Sequence, residues 1–239
     1  MINLDRADDR WAAMQGSLNQ LGLASERISA FDGRAGEHKE VSRYDEALSR
    51  RYGGAPQSET TMACFASHYR VWQQIRDSGQ AALVLEDDLV FQNGFLEALA
   101  LARQRIEERH YIRLFALHQK RRYQEIESLP NGLRLVRLTY RPIGAQAYLL
   151  SCEGARRLLA HAKRWFQPVD DYLDCFWVHG LAPYAVQPYR ITHADQGHSF
   201  IQSDVPGYRR SFSEQLRFKL RRRWERTMAR IWLMRNPPS

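Results

Sequence analysis

The chain has 239 residues, 44% of them hydrophobic, which suits one large α/β domain or one domain with an appendage. No run reaches the ~18 consecutive apolar residues of a spanning helix, and the N-terminus lacks the basic-then-apolar layout of a signal peptide, so a cytoplasmic protein is expected. The net charge of +8 says little about the body of the chain: residues 209–239 hold ten basic side chains against Glu214 and Glu225, which leaves 25 basic and 25 acidic groups in residues 1–208.

Residues 1–4 are apolar enough to end a short strand. Asp5 is a natural N-cap for a helix in which Trp11, Met14, Leu18 and Leu21 recur at helical spacing before Gly22. Residues 27–31 read as a second strand, stopped by Asp32-Gly33, and complete a β-α-β start. Residues 34–58 are polar, carry Gly36, Gly53, Gly54 and Pro56, and read as an excursion with one short helix. A clear helix follows over 61–78, with Met62, Phe65, Tyr69, Trp72 and Ile75 on one face and Gly79 closing it.

The stretch 81–88, AALVLEDD, comes next. Five apolar residues run into Glu86, Asp87 and Asp88, the pattern of a buried parallel strand delivering carboxylates to a sheet's C-terminal edge. Alternation along a strand sends Glu86 and Asp88 one way and Asp87 the other. Adjacent carboxylates repel unless something positive sits among them, and Mg²⁺ or Mn²⁺ would meet that need while bridging to a phosphate. The plainer alternative is a solvated acidic turn.

Beyond it, Asn93 is placed to cap a helix bearing Leu96, Leu99 and Ile106. Strands are expected over 112–118, 133–140 and 145–150, with a charged loop over 119–131. Ser151 caps a helix to about residue 164, and Pro168 with Val169 leads into a short helix with Asp170, Asp171 and Asp174. Residues 181–186 read as a last strand, so the order is α/β in the first half and mixed in the second. Cys64, Cys152 and Cys175 are odd in number, with no C-x-x-C, and imply neither a disulfide frame nor a zinc site. G-x-x-x-x-G-K-[ST] is absent, as is G-x-G-x-x-G after the first strand, so a bound nucleotide must be held by a cation and scattered side chains.

INLDRADDR at 2–10, ISAFDGR at 28–34, ACFASHYRVW at 63–72, ALVLEDDLVF at 82–91, GAQAYLLSCEGARRLL at 144–159 and PVDDYLDCFW at 168–177 together resemble glycosyltransferase family 25. That family includes bacterial lipopolysaccharide and lipooligosaccharide galactosyltransferases, and related domains glycosylate hydroxylysine in collagen. The resemblance implies a single GT-A-type nucleotide-sugar-binding domain over 1–208 with a mixed, mainly parallel central sheet, a UDP-sugar donor, and inversion at the anomeric carbon. Two departures stand out. Few apolar residues precede the INLDR block, so the first strand is short or the true start lies upstream. Asp171 follows PVD where relatives commonly lack an acid, which complicates the choice of a base.

On that resemblance Asp88 is the first choice as direct metal ligand, with Glu86 beside it and Glu86 or Asp87 nearer the ribose. The Mn²⁺ or Mg²⁺ stabilises the departing diphosphate. Inversion needs a carboxylate opposite the leaving group, and Asp170 fits, with Asp171 and Asp174 as alternates; as plain structure, Asp170 is a helix N-cap. Asn3 and Asp5 end the first strand within reach of a base or ribose. Arg10 either approaches the uracil or diphosphate or is simply solvated. Asp32 has the geometry of Asn3 or merely begins an Asp-Gly turn. His68 matches the family block but, alone on a helix, also reads as structural; His193 and His198 are further metal donors.

The resemblance does not cover the tail, residues 209–239. Phe212, Leu216, Leu220, Trp224, Met228 and Ile231 form one apolar stripe among arginines, a basic amphipathic helix. It is expected to lie on an anionic membrane surface, or else to dock on the protein's own body. The resulting reading is a hexosyltransferase, galactose favoured, peripheral on the inner face of the bacterial cytoplasmic membrane, acting on a cell-surface glycan or glycolipid acceptor. The rivals are a basic-tailed binder of nucleic acid, which is not expected, and a relative that has lost activity.

Overall fold

The computed structural model describes residues 1–34, 39–120, 122–194, 205 and 208–238; Gly36 and His198 lie outside them. The chain begins with β1 (Ile2–Asn3), α1 (Asp8–Gln20) and β2 (Ile28–Ser29), and β1 pairs parallel with β2. The expected β-α-β start is therefore present, but the cap of α1 is not Asp5. Ala7 holds the N-cap position, and the Asp5 carboxylate instead accepts the Ser29 hydroxyl at 2.7 Å, tying the two strand ends together.

A 3₁₀ turn (Lys39–Arg43) and α2 (Glu46–Gly53) occupy the polar excursion. The Ser58 hydroxyl accepts from Thr61 N at the start of α3 (Glu59–Ser78), and Gly79 ends that helix in the left-handed region. β3 (Ala82–Leu85), β4 (Leu89–Phe91), α4 (Phe95–Arg109) and β5 (Tyr111–Arg113) follow. Gly94, at φ 86°, takes the N-cap of α4 in place of Asn93, because the turn after β4 demands a positive φ there.

β6 (Tyr123–Ser128), β7 (Arg134–Leu138) and β8 (Ala147–Leu150) precede α5 (Cys152–His161), α6 (Val169–Leu173), α7 (Phe176–His179), β9 (Tyr184–Gln187), β10 (Ile191–His193) and α8 (Phe212–Arg235). β6 falls inside the segment read as a charged loop. It is an edge strand with Gln124 and Glu125 exposed, and edges carry polar residues that hide a strand's apolar signature.

The six-stranded sheet has the order β3-β8-β5-β9-β7-β6. It is mixed, as expected, but not mainly parallel: only β5 and β9 run parallel, and the other four pairings are antiparallel. β5 to β8 follow one another without helices between them, and parallel pairing needs a long crossover, most often a helix, such as the α5–α7 stretch that precedes β9. β3 lies at the edge of this sheet and pairs antiparallel with β8, Leu85 opposite Ala147.

Two cores sandwich these strands. Val84, Tyr111, Tyr148 and Leu150 face α3 and α5, where Phe65 stacks on Trp165 at 4.7 Å. Leu85, Ile112, Ala147 and Leu149 face α1 and α4. The period of two thus splits each strand between two apolar layers, each large side chain contributing about 1.5–3 kcal/mol on burial.

α8 opens with a capping box between Ser211 and Glu214 and docks on the body through an ionic face. Glu225, 2% exposed, accepts from Arg141 and Arg221, and Arg222 pairs with Asp171 at 3.1 Å. Farther along, Trp232 meets Phe176 edge-on at 5.2 Å. The stripe read from the sequence is not the docking face: Phe212, Leu216, Leu220 and Trp224 are exposed, while Met228 and Ile231 are half-buried. Glu225→Ala leaves Arg141 and Arg221 without their shared acid, so urea denaturation of that variant should show about 3–5 kcal/mol lost; an unchanged midpoint would mean the cluster does not hold α8 in place.

Candidate active site

A cavity of about 330 Å³ opens where β1, the turn after β2, the first half of α3 and the end of β3 meet. The turn after β2 comes close to α3: a Cβ on Gly33 would lie 2.6 Å from Thr60 Cα, so only glycine fits. The three acids follow β3 in a bend rather than in the strand itself, all three line the cavity, and each takes a different partner. Asp87 turns to Asn3 Nδ2 at 2.5 Å and Arg10 at 3.1 Å, while Glu86 meets His68 and Asp88 meets His193.

Glu86 Oε1 lies 3.2 Å from His68 Nε2, and His68 Nδ1 lies 2.9 Å from the Tyr148 hydroxyl. Trp72 Nε1 donates to the same hydroxyl at 2.8 Å. Indole N–H is only a donor, so the Tyr148 proton goes to His68 Nδ1, and the Nε2–H of His68 is left for Glu86. His68, fully buried, is thus a positioning residue that fixes the Glu86 carboxylate from below.

Asp88 is differently placed. Its Oδ2 lies 3.6 Å from His193 Nε2, and its buried Oδ1 has no hydrogen-bond partner among the described residues. His193 arrives through the pairing of β10 with β4, where it stands opposite Leu89 and Ala194 N donates to Asp88 O at 2.8 Å. Burial, and then the charge of Glu86, pushes the Asp88 carboxyl up to about 6, with His193 opposing. Burial likewise raises Asp87 against the pull of Arg10 and Asn3.

An orphaned, desolvated carboxylate oxygen beside a second carboxylate and an imidazole is a fit for a divalent cation with a taste for oxygen ligands. A competing trio, Cys64, His68 and Glu86, has ligand atoms within 4.8 Å of one another. It suits such a cation less well, because both His68 nitrogens are engaged with Glu86 and Tyr148 and burial pushes the Cys64 thiol well up.

The other candidates separate. Asn3 is buried, donates to Asp87 and Ala7 O, and accepts from Arg27 at 2.8 Å, so it is a joint that locks β1 to the acidic turn rather than a free group for a ribose. Arg10 lines the cavity against Asp87 and is not a solvated helix residue. Asp32 lines it too, and its bond from Arg6 at 2.6 Å holds its carboxyl below the usual range. Asp5 is outside the cavity wall.

The three acids on α6 and at its C-cap have three fates. Asp174 is fully buried against Arg113 at 2.7 Å and Ile143 N at 2.9 Å, and burial pushes it up to about 6. Asp171 pairs with Arg141 at 2.5 Å and with Arg222. Asp170 has no salt bridge among the described residues and accepts only near backbone N–H groups, Asp171 N at 2.8 Å among them. The N-cap of α6 is Pro168, so Asp170 is not the cap. Burial, then Asp171, raises its pKa. It does not line the cavity, but its charge is felt at Cys64, which does.

Sequence reasoning missed Gln146, whose Oε1 is buried in the cavity wall without a hydrogen-bond partner among the described residues. Its one signal is a polar side chain directly ahead of the apolar β8, and only the β3–β8 pairing makes that a place beside Glu86.

The model of glycosyltransferase family 25, described as an LPS biosynthesis protein family, matches residues 1–173. The chain belongs to glycosyltransferase family 25. It is 32% identical over 187 residues to procollagen galactosyltransferase 1 of Danio rerio, spanning 74% of this chain and 31% of that protein. It is 34% identical over 186 residues to a glycosyltransferase 25 family member of Anopheles gambiae, 72% and 30% of the two chains. A third relative, 29% identical over 209 residues and 79% and 35% of the chains, is named probable inactive glycosyltransferase 25 family member 3, of Bos taurus. The chain therefore spans about a third of the length of these relatives. The mixed α/β architecture of this family 25 chain is consistent with a GT-A-like domain, and α7, β9, β10 and α8 lie beyond the family match.

Because the folded protein favours the protonated form of Asp88, that group's stabilising contribution is complete below about 3.8 and is lost as pH rises through about 6. At pH 7 with EDTA, Asp88→Asn is therefore expected to be more stable than the parent by on the order of 1–3 kcal/mol, seen as a higher melting point, while losing any stabilisation by Mn²⁺. An equal or lower melting point would show that Asp88 is not strained, and an undiminished Mn²⁺ effect would show that it is not a ligand.

Proposed function

We propose that this family 25 chain is an inverting hexosyltransferase, with galactose the favoured sugar, that draws on a UDP-sugar and acts on a cell-surface glycan or glycolipid in lipopolysaccharide or lipooligosaccharide biosynthesis. The observation that carries the reading is the orphaned carboxylate oxygen of Asp88, held beside His193 in a cavity whose wall also contains Glu86, Arg10 and Asp32. A divalent cation there, Mn²⁺ or Mg²⁺, would be held by Asp88 and Glu86 with His193 alongside, and would offset charge on the departing diphosphate.

The protein's own groups do the rest. His68 orients Glu86 through one proton, while Asn3 and Arg10 hold Asp87 away so that the acidic turn keeps its splayed form. Asp170 is the acid on α6 left without a cation partner among the described residues, and its raised pKa makes it the stronger base of an exposed carboxylate's kind. We assign it the acceptor hydroxyl's proton. A catalytically silent family member is the second reading, favoured by the relative named as inactive and by the absence of Asp170 from the cavity wall.

Screening UDP-sugars for donor hydrolysis and transfer separates the two. Asp170→Asn should lower transfer by about 10²–10⁴-fold while leaving UDP affinity with Mn²⁺, read by calorimetry, nearly unchanged. Loss of UDP binding together with transfer would make Asp170 structural or donor-side, and no turnover with any UDP-sugar would favour the silent relative.

A further inference from the structure

α8 has two faces of opposite character, and only one of them is in use. Its two acids both belong to the docked side: Glu225 is buried under Arg141 and Arg221, and Glu214 is committed to the Ser211 cap and the Tyr208 hydroxyl. Arg221 and Arg222 turn the same way, toward Gln167, Asp171 and Glu225. The outward side carries Phe212 at 82% exposure, Leu220 at 58% and Met234 at 74%, with Leu216 about half exposed, while Trp224 sits at the flank and turns partly toward Tyr52 and Trp177 of the body. Between them stand Arg217, Lys219, Arg223, Arg226, Arg230 and Arg235, all exposed. No acid lies on this face.

We infer that the outward face of α8 is a docking surface for an anionic lipid bilayer. Large apolar side chains at steps of four along a helix seat at the boundary between headgroups and acyl chains, and arginines among them reach the phosphates with their stems along the apolar layer. A nucleic acid would use the charge but not Leu216, Leu220 or Met234, which offer no ring to stack on a base. No helix of the described residues is long and apolar enough to cross a membrane, so attachment is lateral. The bilayer accounts for both halves of the pattern, the missing acids and the exposed alkyl row.

The placement also has a direction. The docked side of α8 grips Asp171 through Arg222, and Arg141 links Asp171 to Glu225, so the bilayer lies on the side of the molecule where α6 carries Asp170. For a glycolipid acceptor this brings the hydroxyl toward its proton acceptor from the membrane; that part rests on the function proposed above, whereas docking itself does not.

Truncation before α8 is a poor test, since it strips Glu225 from Arg141. The full chain with Phe212→Glu, Leu216→Glu and Leu220→Glu alters the outward face alone. Sedimentation with vesicles of phosphatidylglycerol and phosphatidylcholine should carry down the parent chain, less so as salt is raised, and phosphatidylcholine alone should not. The triple variant should partition about tenfold less or lower, with its melting point and its binding of UDP with Mn²⁺ unchanged. Equal partitioning of variant and parent would overturn the docking surface, as would salt-sensitive retention on RNA with none on vesicles. A chain that docks but transfers no sugar would overturn the proposed activity instead and leave the surface standing.

Discussion

Three carboxylates in succession at the end of β3 set the terms for everything around them. Each is dealt with by a different element: Asp87 by Asn3 of β1 and Arg10 of α1, Glu86 by His68 of α3, and Asp88, in part, by His193 of β10. The first two arrangements are complete in the protein alone. The third is not, because Asp88 keeps a buried oxygen with no donor among the described residues, and that incompleteness is where the fold holds its chemical potential. A stability-optimised protein would place an amide or an arginine there. Here the aspartate is kept, so a desolvated carboxylate stays beside Glu86 with His193 as its one partly compensating neighbour.

A second set of buried charges serves architecture. Arg113, on β5, donates to Gly144 O and to Asp174, which also takes Ile143 N, so the loop entering β8 is fixed to α6. Arg141 on that loop reaches Asp171 and Glu225, and so ties α6 to α8. Of the acids on α6 and at its C-cap, Asp171 and Asp174 are consumed by these ties, and Asp170 is the one left over. The same network accounts for the inward turn of the α8 acids: once Glu225 is required beneath Arg141, the opposite face of the helix is left to arginines and apolar side chains.

The likeness to procollagen galactosyltransferases and to relatives named inactive concerns a shared domain of about a third of those proteins' length. What this chain can do chemically depends on the particular groups in its cavity, above all Asp88, Glu86 and His193, and not on a relative's name.

Patterns that are local in the chain were legible before any coordinates. The helix ending at Gly79 and the apolar run into Glu86–Asp88 follow from periodicity and capping, and the family blocks offered Asn3, Arg10, Asp32 and His68 as candidates to stand with the acids, with a plain structural reading open beside the functional one for Arg10, Asp32 and His68. What sequence could not supply was partnership across the chain. The antiparallel pairing of β3 with β8, the arrival of His193 through β10, the orphaned Gln146 and the division of labour among Asp170, Asp171 and Asp174 all depend on which strand lies beside which. The tail shows the distinction most plainly. Its amphipathic composition was written in residues 209–239, but an arginine-rich helix can meet the body by its alkyl row or by its few acids, and only the tertiary structure decided for the acids, by bringing Arg141 and Asp171 to where Glu225 and Arg222 can pair with them.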